Sequence, residues 1–172
     1  MSTRRVPGTY LTLYRVTILS CYDIYVERFP KDLDESEYRK LEEFRFQIRR
    51  FLSFSESAAR DAGIEPQQHQ ALLVLKGRAA GSLPTVGLVA NRLMLRHHSA
   101  VGLVDRMQNL GLVTRESNAE DARQVLVQLT DKGERILHDL SVEHRSELEE
   151  TGPGLAAALR AIGRKTSQLK VS

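Results

Sequence analysis

A cluster of side chains that can bind a polyanion lies near the middle of the sequence, at Arg96, His97, His98 and Ser99. Arginine can donate to a guanine edge or to a phosphate, and histidine and serine can donate to phosphate oxygens. The segment Lys76–Arg115 contains six cationic side chains and one acid, a net charge of +5. The whole chain carries +3, so the rest of it carries −2. A basic centre of this kind indicates a polyanionic partner, and a solvated basic face is the alternative.

Two short helices are predicted to position this cluster. Thr85 follows Pro84 and can cap a helix that ends near Leu93, where apolar residues recur at helical spacing. Residues 94–96 form a short turn, and a second helix is predicted over 97–110. Gly111 ends that helix, because a positive φ suits a helix C-terminus. The pattern predicts a helix-turn-helix.

A β-hairpin is predicted directly after the second helix. Residues 112–115 are typical of a strand, residues 117–122 form a polar tip, and residues 124–129 alternate apolar and polar side chains. Residues 83–85 can add a very short strand beside the hairpin. The expected fold is therefore mainly α with a small β-hairpin, arranged as a winged helix-turn-helix.

Longer helices flank this region. A helix from about Glu35 to Asp61 carries an apolar stripe and spans roughly 40 Å, more than a small winged domain covers. We expect the stripe to meet a second chain; an ordinary core helix is the alternative. Helices are also predicted over 66–78, 131–151 and 155–168, with Gly152-Pro153-Gly154 breaking the last two apart.

The segments 89–102 and 103–133 resemble the MarR family of bacterial winged-helix transcription regulators. The resemblance is sharpest at Asp105-Arg106 followed by Gly111-Leu112-Val113, at Asp121 and Arg123, and at Leu129-Thr130 with Gly133. It covers roughly residues 36–165. It implies a dimerisation platform built from the N- and C-terminal helices. The predicted parts are an N-terminal arm of unknown role (1–34), a long linking helix (35–62), a winged DNA-binding domain (63–130) and C-terminal dimerisation helices (131–170).

The second helix of the pair is expected to read double-stranded DNA. Its position and the resemblance together place contacts at its N-terminal end and in the wing, namely at Arg96, His97, His98, Ser99, Gly102, Arg106, Arg115 and Arg123. Two features depart from the family. Arg96 cannot cap the helix as a serine or threonine does, and Gly102 offers DNA no side chain. Adjacent histidines point about 100° apart on a helix, so one of the two is expected to read bases.

Asp105 is the acid that stands on this helix, where it would repel phosphate. We expect it to turn inward and to pair with Arg123 or Arg115, and the resemblance implies such a helix-to-wing salt bridge. A surface pair of little energetic value is the alternative. Asp121 is expected to pair with Arg123 or to shape the wing turn.

The resemblance also implies a small aromatic or phenolic effector, bound between the dimer helices and the winged domain. The candidate wall residues are Phe51, Phe54, His69, Leu72 and Leu73, with simple core packing as the alternative. Metal sensing through histidines and redox sensing through Cys21 are further alternatives. No metal site and no cofactor are expected, because the histidine spacings do not favour chelation and no cofactor motif is present.

The sequence therefore predicts a cytoplasmic, homodimeric, sequence-specific DNA-binding regulator, with repression as the family tendency. No catalytic motif is present, so an enzyme is not expected. A single cysteine excludes an internal disulfide framework, and no apolar run is long enough to predict a membrane span. The competing interpretation is a winged-helix protein–protein module without DNA binding, which the basic segment disfavours.

Overall fold

The computed structural model describes residues 33–118, 121 and 124–163. Within them lie five helices, α1 (Glu35–Asp61), α2 (Pro66–Lys76), α3 (Val86–Arg92), α4 (His97–Asn109) and α5 (Asp131–Gly163), and two strands, β1 (Val113–Ser117) and β2 (Val125–Leu129). The predicted mainly helical fold with a small hairpin is confirmed. In the described part of the chain, no helix combines the length and the apolarity that crossing a membrane requires.

The chain forms two compact units, residues 1–42 and 43–172. The described part of the first unit is residues 33–42, the beginning of α1. Asp34 and Glu37 cap this helix start reciprocally, since each backbone amide donates to the carboxylate of the other, at 3.3 and 3.0 Å. The Ser36 hydroxyl and the Glu37 amide hold the pKa of Asp34 below its ordinary value.

The second unit has one hydrophobic core, shared by the helix-turn-helix, the hairpin and the beginning of α5. Its largest fully buried side chains come from α2, α3, α4, α5, the two strands and the residue before β1, among them Leu72, Leu75, Leu103, Met107, Leu112, Val127 and Leu140. These residues recur at helical spacing on α2 and α4, so each helix turns one apolar face inward. The opposite faces of the two helices remain available for contacts outside the core.

Polar caps fix where the helices begin. The Thr85 hydroxyl accepts from the Leu88 amide at 3.1 Å, as expected for the start of α3. The Thr130 hydroxyl accepts from the Gly133 amide at 3.1 Å at the start of α5. Both contacts are local, so the sequence signal was sufficient to place these two helix starts.

The hairpin pairs β1 with β2 in antiparallel register, from Val113 opposite Leu129 to Ser117 opposite Val125. The expected short strand beside it is a single bridge between Thr85 and Leu126, with the Val127 amide donating to the Pro84 carbonyl at 2.6 Å. The start of α3 is thereby attached to the wing.

Helices α1 and α5 run side by side in opposite directions within the second unit. The Ser55 hydroxyl lies 2.8 Å from the Nε2 atom of His144, and Gln47 lies against Gly154, where an added Cβ would be 3.5 Å from its side chain. Ser55, later in α1 than Gln47, thus lies beside His144, which is earlier in α5 than Gly154, so the two helices are antiparallel.

The predicted helix break at residues 152–154 is wrong, because α5 is continuous from Asp131 to Gly163 with Pro153 inside it. Among the described glycines, positive φ values occur at Gly63, Gly81 and Gly111, so Gly152 and Gly154 keep helical torsions. Thr151 and Ala158, on one face of α5 and on either side of the proline, are both buried. Burial along one face therefore outweighs the hydrogen bond that the proline removes.

Candidate nucleic-acid interface

The N-terminal turn of α4 presents a group of polar side chains to solvent. Arg96, His97, His98 and Ser99 are all exposed, whereas Ala100 begins the buried face. Arg96 occupies the N-cap position in extended conformation, and within the described residues its side chain makes no capping hydrogen bond. Its guanidinium is therefore free of the local role that a serine would have there.

The turn between α3 and α4 sets the direction of this helix. The Met94 amide donates to the Asn91 carbonyl at 3.3 Å, and the Leu95 amide donates to the Ala90 carbonyl at 2.8 Å. Met94 adopts a φ of 54°, the left-handed region. Its side chain is 93% exposed. The turn thus carries an exposed apolar side chain two residues before Arg96.

An ion pair joins α4 to the wing. The guanidinium of Arg115 on β1 donates to the carboxylate of Asp105 on α4 and lies 3.4 Å from the Val101 carbonyl. The Arg115 side chain is only 27% exposed. Asp105 is thereby neutralised by the wing, and Arg115 holds the hairpin against the helix.

A cleft of about 540 Å³ lies between α4, the beginning of α3 and the hairpin. It is lined by Thr85, Val86, Gly87, His97, Val101, Arg115, Gln124 and Val125. His97 therefore borders the wing side of α4, whereas His98 is not among the lining residues. The two adjacent histidines have different surroundings, as their helical spacing predicts.

Arg106 and Gly102 lie farther along α4. An added Cβ at Gly102 would be 3.6 Å from the Nη1 atom of Arg106, so the arginine side chain passes over the glycine. Arg106 is exposed and borders a groove with Glu65, Pro66 and Gln67 at the start of α2. Of the predicted contacts, Arg106 is thus placed toward α2 and away from the wing.

The wing tip is described in part. The carboxylate of Asp121 accepts from the Gln124 side chain at 3.2 Å. Arg123, predicted both to contact DNA and to pair with Asp105 or Asp121, lies outside the described residues.

Residues 62–124 match the sequence model of the MarR family. This span includes the left-handed turn at Met94, the exposed start of α4 and the ion pair between α4 and the wing. The winged helix-turn-helix segment of this chain is therefore similar to that of MarR-family proteins.

The MarR likeness extends to individual relatives. The chain is 29% identical over 126 residues to YkoM, an uncharacterized HTH-type transcriptional regulator of Bacillus subtilis, covering 72% of this chain and 80% of that protein. A MarR family protein from Bacillus stearothermophilus is 28% identical, with coverage of 69% and 81% and a TM-score of 0.59. These relatives support DNA-binding regulation of transcription.

The MarR fold is also seen in a DNA complex. A single-residue mutant of MepR from S. aureus, bound to an oligodeoxyribonucleotide, is 20% identical to this chain. The likeness covers 63% of this chain and 77% of that one, with a TM-score of 0.54. At this identity the comparison shows the fold alone.

The predicted effector residues are divided between a cleft and the hydrophobic core. Phe51, His69 and Leu73 line a cleft of about 400 Å³ between α1, α2 and α5. Leu72 is fully buried, and Phe54 packs against the core, so neither lines this cleft. Three of the five candidates thus share one cleft, which α5 completes.

A histidine pair forms part of that cleft. The rings of His69 and His144 have centroids 4.7 Å apart. The Nδ1 atom of His144 lies 2.6 Å from the Leu140 carbonyl, so it carries the proton, and in the neutral ring Nε2 accepts from the Ser55 hydroxyl. The sequence put His144 on the inner face of α5, but the pairing with a residue 75 positions earlier has no local signal.

The surroundings of His69 favour its neutral form. Its ring is only 4% exposed. Burial lowers the pKa of His69 below 6.5, and the neighbouring His144 lowers it further. His69 therefore presents a neutral imidazole ring to the cleft at neutral pH.

The alternative sensing residues are placed as follows. Within the described ranges, no group of three or more His, Cys, Asp or Glu side chains is arranged to hold a metal ion. His138 is exposed on α5 beside Asp139. Cys21, the thiol considered for redox sensing, and the rest of the arm up to residue 32 lie outside the described residues.

Proposed function

We propose that this chain is a homodimeric, sequence-specific DNA-binding regulator that represses transcription by occupying a promoter. The observation that carries the proposal is the exposed N-terminal turn of α4. It groups Arg96, His97, His98 and Ser99 on a helix whose other face is buried. Side chains at that end of such a helix reach base edges in the major groove.

The charge around the turn supports this assignment. Residues 77–104 contain Arg78, Arg92 and Arg96 and no acid. Asp105, the next acid, is paired with Arg115. A surface of this charge is attracted to phosphate, whereas a protein–protein module has no need of it. We assign direct contacts to the residues from Arg96 to Ser99 and a positioning role to Arg115.

Apolar side chains on α1 and α5 support the homodimer. Six large apolar residues of the second unit are 37–57% exposed along these two helices: Phe46, Leu52, Val142, Leu148, Leu159 and Ile162. Exposed apolar surface on this scale marks an interaction site. Two copies would place their α4 helices about one DNA turn, ~34 Å, apart, so the operator is expected to be pseudo-palindromic.

We further propose that the cleft beside His69 and His144 accepts a small aromatic or phenolic effector. Aromatic and apolar side chains line it together with a few polar groups, among them Ser141, Arg145 and Glu149. It lies between α2, which belongs to the winged domain, and the long helices α1 and α5. A ligand there alters DNA binding only if it favours one arrangement of these helices over another.

The test is binding of the full chain to DNA from around its own gene, against a scrambled fragment, at about 150 mM salt. We expect a saturable preference for the native fragment that is lost when either half-site is changed. Arg96→Ala should weaken this binding about tenfold, the value of one good base or phosphate contact. Arg135→Ala, at an exposed position of α5 outside the proposed cleft, is the matched control.

Each alternative makes a distinct prediction in the same assay. Absence of binding to both fragments at low salt would contradict the proposal and favour the protein–protein module. Equal binding by the parent and by Arg96→Ala would show that the surface assigned to α4 is wrong. The effector cleft would be supported if a small phenol weakened DNA binding by the parent and had no such effect on the Leu73→Glu variant.

A further inference from the structure

Three helices of this chain end with the same pair of backbone hydrogen bonds. In each, the amide of the second residue past the helix end donates to the carbonyl three positions back, and the next amide donates to the carbonyl five positions back. The donor pairs are Gly63 and Ile64 after α1, Met94 and Leu95 after α3, and Gly111 and Leu112 after α4. This geometry requires positive φ at the first donor.

The residue with positive φ is glycine at two of these helix ends and methionine at the third. Gly63 and Gly111 have φ values of 76° and 69°, and Met94 has 54°. Met94 is the sole non-glycine residue with positive φ in the part of the chain that the structure describes. A side chain with a Cβ is disfavoured in this region, and methionine, unlike asparagine, has no polar group to bond locally. The backbone alone would favour glycine at residue 94.

Packing does not offset this disadvantage. The Met94 side chain is 93% exposed, the most exposed large apolar residue described. It therefore stabilises neither the turn nor the core. The turn requires the conformation but not the methionine, and a residue type that disfavours its own conformation without adding packing indicates a functional contact.

The position of Met94 identifies the partner. It lies between Arg92 and Arg96, both exposed, and two residues before the group that starts α4. A lone apolar side chain among cations suits DNA, because the major groove offers an apolar group next to its polar edges. That group is the C5-methyl of thymine.

We propose that Met94 is a specificity-determining DNA contact that lies against a thymine methyl group in the major groove. The inference rests on the proposed DNA-binding function. It adds one base to those contacted in each half-site, a base that the side chains of α4 do not contact. The flexible, polarizable thioether adapts its shape to such a contact. The chain then prefers thymine at one position in each half-site, next to the bases contacted from Arg96 to Ser99.

The first test separates the backbone from the side chain with three variants of the full chain. Met94→Gly and Met94→Asn suit positive φ but lack the apolar side chain, whereas Met94→Leu keeps apolar bulk and the disfavoured backbone. We expect Met94→Gly to raise the unfolding midpoint by about 2–4 °C. Its affinity for DNA should fall about 5- to 10-fold, as should that of Met94→Asn, with Met94→Leu within about threefold of the parent.

The second test uses modified DNA. The probe is a duplex selected from a random-sequence library by the parent protein, with its thymines replaced singly by uracil, which lacks the methyl group. We expect one replacement per half-site to weaken binding of the parent about fivefold and to leave binding of Met94→Gly unchanged.

The outcomes distinguish this inference from the function on which it rests. Equal affinity of the parent and Met94→Gly for the selected duplex would overturn the contact and leave the DNA-binding function intact. Weaker binding by Met94→Gly without any uracil effect would overturn the thymine assignment. Failure of the parent to select any sequence would overturn the proposed function itself.

Discussion

Two glycines of α5 have opposite steric surroundings. A Cβ added at Gly133 would lie 2.1 Å from the carbonyl oxygen of Leu112, whereas at Gly152 no described atom lies within 4 Å. Because the Leu112 carbonyl is backbone, it cannot move aside cheaply. We expect Gly133→Ala to reduce the free energy of unfolding by about 2–3 kcal/mol, measured by urea denaturation.

Gly152→Ala is the matched control on the same helix. There the substitution adds helix propensity without a clash, so a gain of about 0.5–1 kcal/mol is expected. Equal stability of the two variants would mean that α5 does not approach Leu112 as closely as described.

Single residues also show where sequence reasoning stops. The caps at Thr85 and Thr130 and the lack of a cap at Arg96 were predictable, because a cap depends on amides within three residues. The crowding at Gly133 was not, since the carbonyl above it comes from a different element. The positive φ of Met94 was hidden for another reason: the residue type argues against it.

At the scale of elements, the ion pair between Asp105 and Arg115 positions the wing relative to α4. We expect Asp105→Asn to weaken DNA binding about threefold, because the wing loses its charged attachment while the outward face of α4 is unchanged. Both side chains are partly exposed, so the pair should contribute only about 0.5–1 kcal/mol to stability. A double-mutant cycle with Arg115→Gln measures both quantities.

The double-mutant cycle can also contradict a positioning role for Arg115. If the effects of the two substitutions on DNA affinity simply add, Arg115 contacts DNA directly and its attachment to Asp105 is incidental. Coupled effects would instead assign Arg115 to positioning the hairpin.

The contact between α2 and α5 should make the stability of the fold depend on pH. The pKa of His69 is lowered in the folded chain, so the unfolded chain takes up a proton first as the pH falls through 6.5. The stability that neutral His69 contributes to the folded chain is therefore lost as the pH falls below 6.5. We expect the parent to lose up to about 1.4 kcal/mol more than His69→Leu between pH 7.5 and 5.5.

Denaturant unfolding at the two pH values measures this difference. His98→Leu is the control, because His98 is exposed at the start of α4. The other titratable groups on the same cleft, His144, Arg145 and Glu149, are present in both variants. An identical pH dependence of the parent and His69→Leu would contradict the prediction.

The order and type of the elements were largely predictable, and the exception is instructive. The spacing of apolar residues, with Gly111 ending one helix and Thr130 capping another, predicted the bounds of the helix-turn-helix and the hairpin to within a residue or two. The helix break predicted at Gly152-Pro153-Gly154 is wrong because the local sequence does not show that Thr151 and Ala158, on either side of it, are buried. The effector cleft was found in part for the same reason, since its α5 wall is distant in sequence.

At the scale of the whole molecule, the apolar residues of α1 and α5 should determine the oligomeric state. We expect Leu159→Glu to shift the proposed dimer toward monomer and to weaken operator binding more than tenfold, because a charge would be buried in the interface. Sedimentation velocity at micromolar concentration measures the first effect. Ala157→Glu, two residues away and about 200° around the helix, should leave the dimer intact. A monomeric parent chain would contradict the expectation at once.

The end of α4 and the beginning of α5 are joined at several points. The Thr130 hydroxyl donates to the Gly111 carbonyl at 2.6 Å, the Lys132 Nζ atom donates to the Leu110 carbonyl at 2.9 Å, and Gly133 lies against Leu112. Through these contacts, α4, the helix proposed to enter DNA, is fixed to the N-terminal end of α5, which can act as a lever on it. Since α5 is about 50 Å long, a tilt of about 3° at one end displaces the other by roughly 2.5 Å. If α4 enters the major groove as proposed, a small rotation of the long helices shifts α4 along that groove.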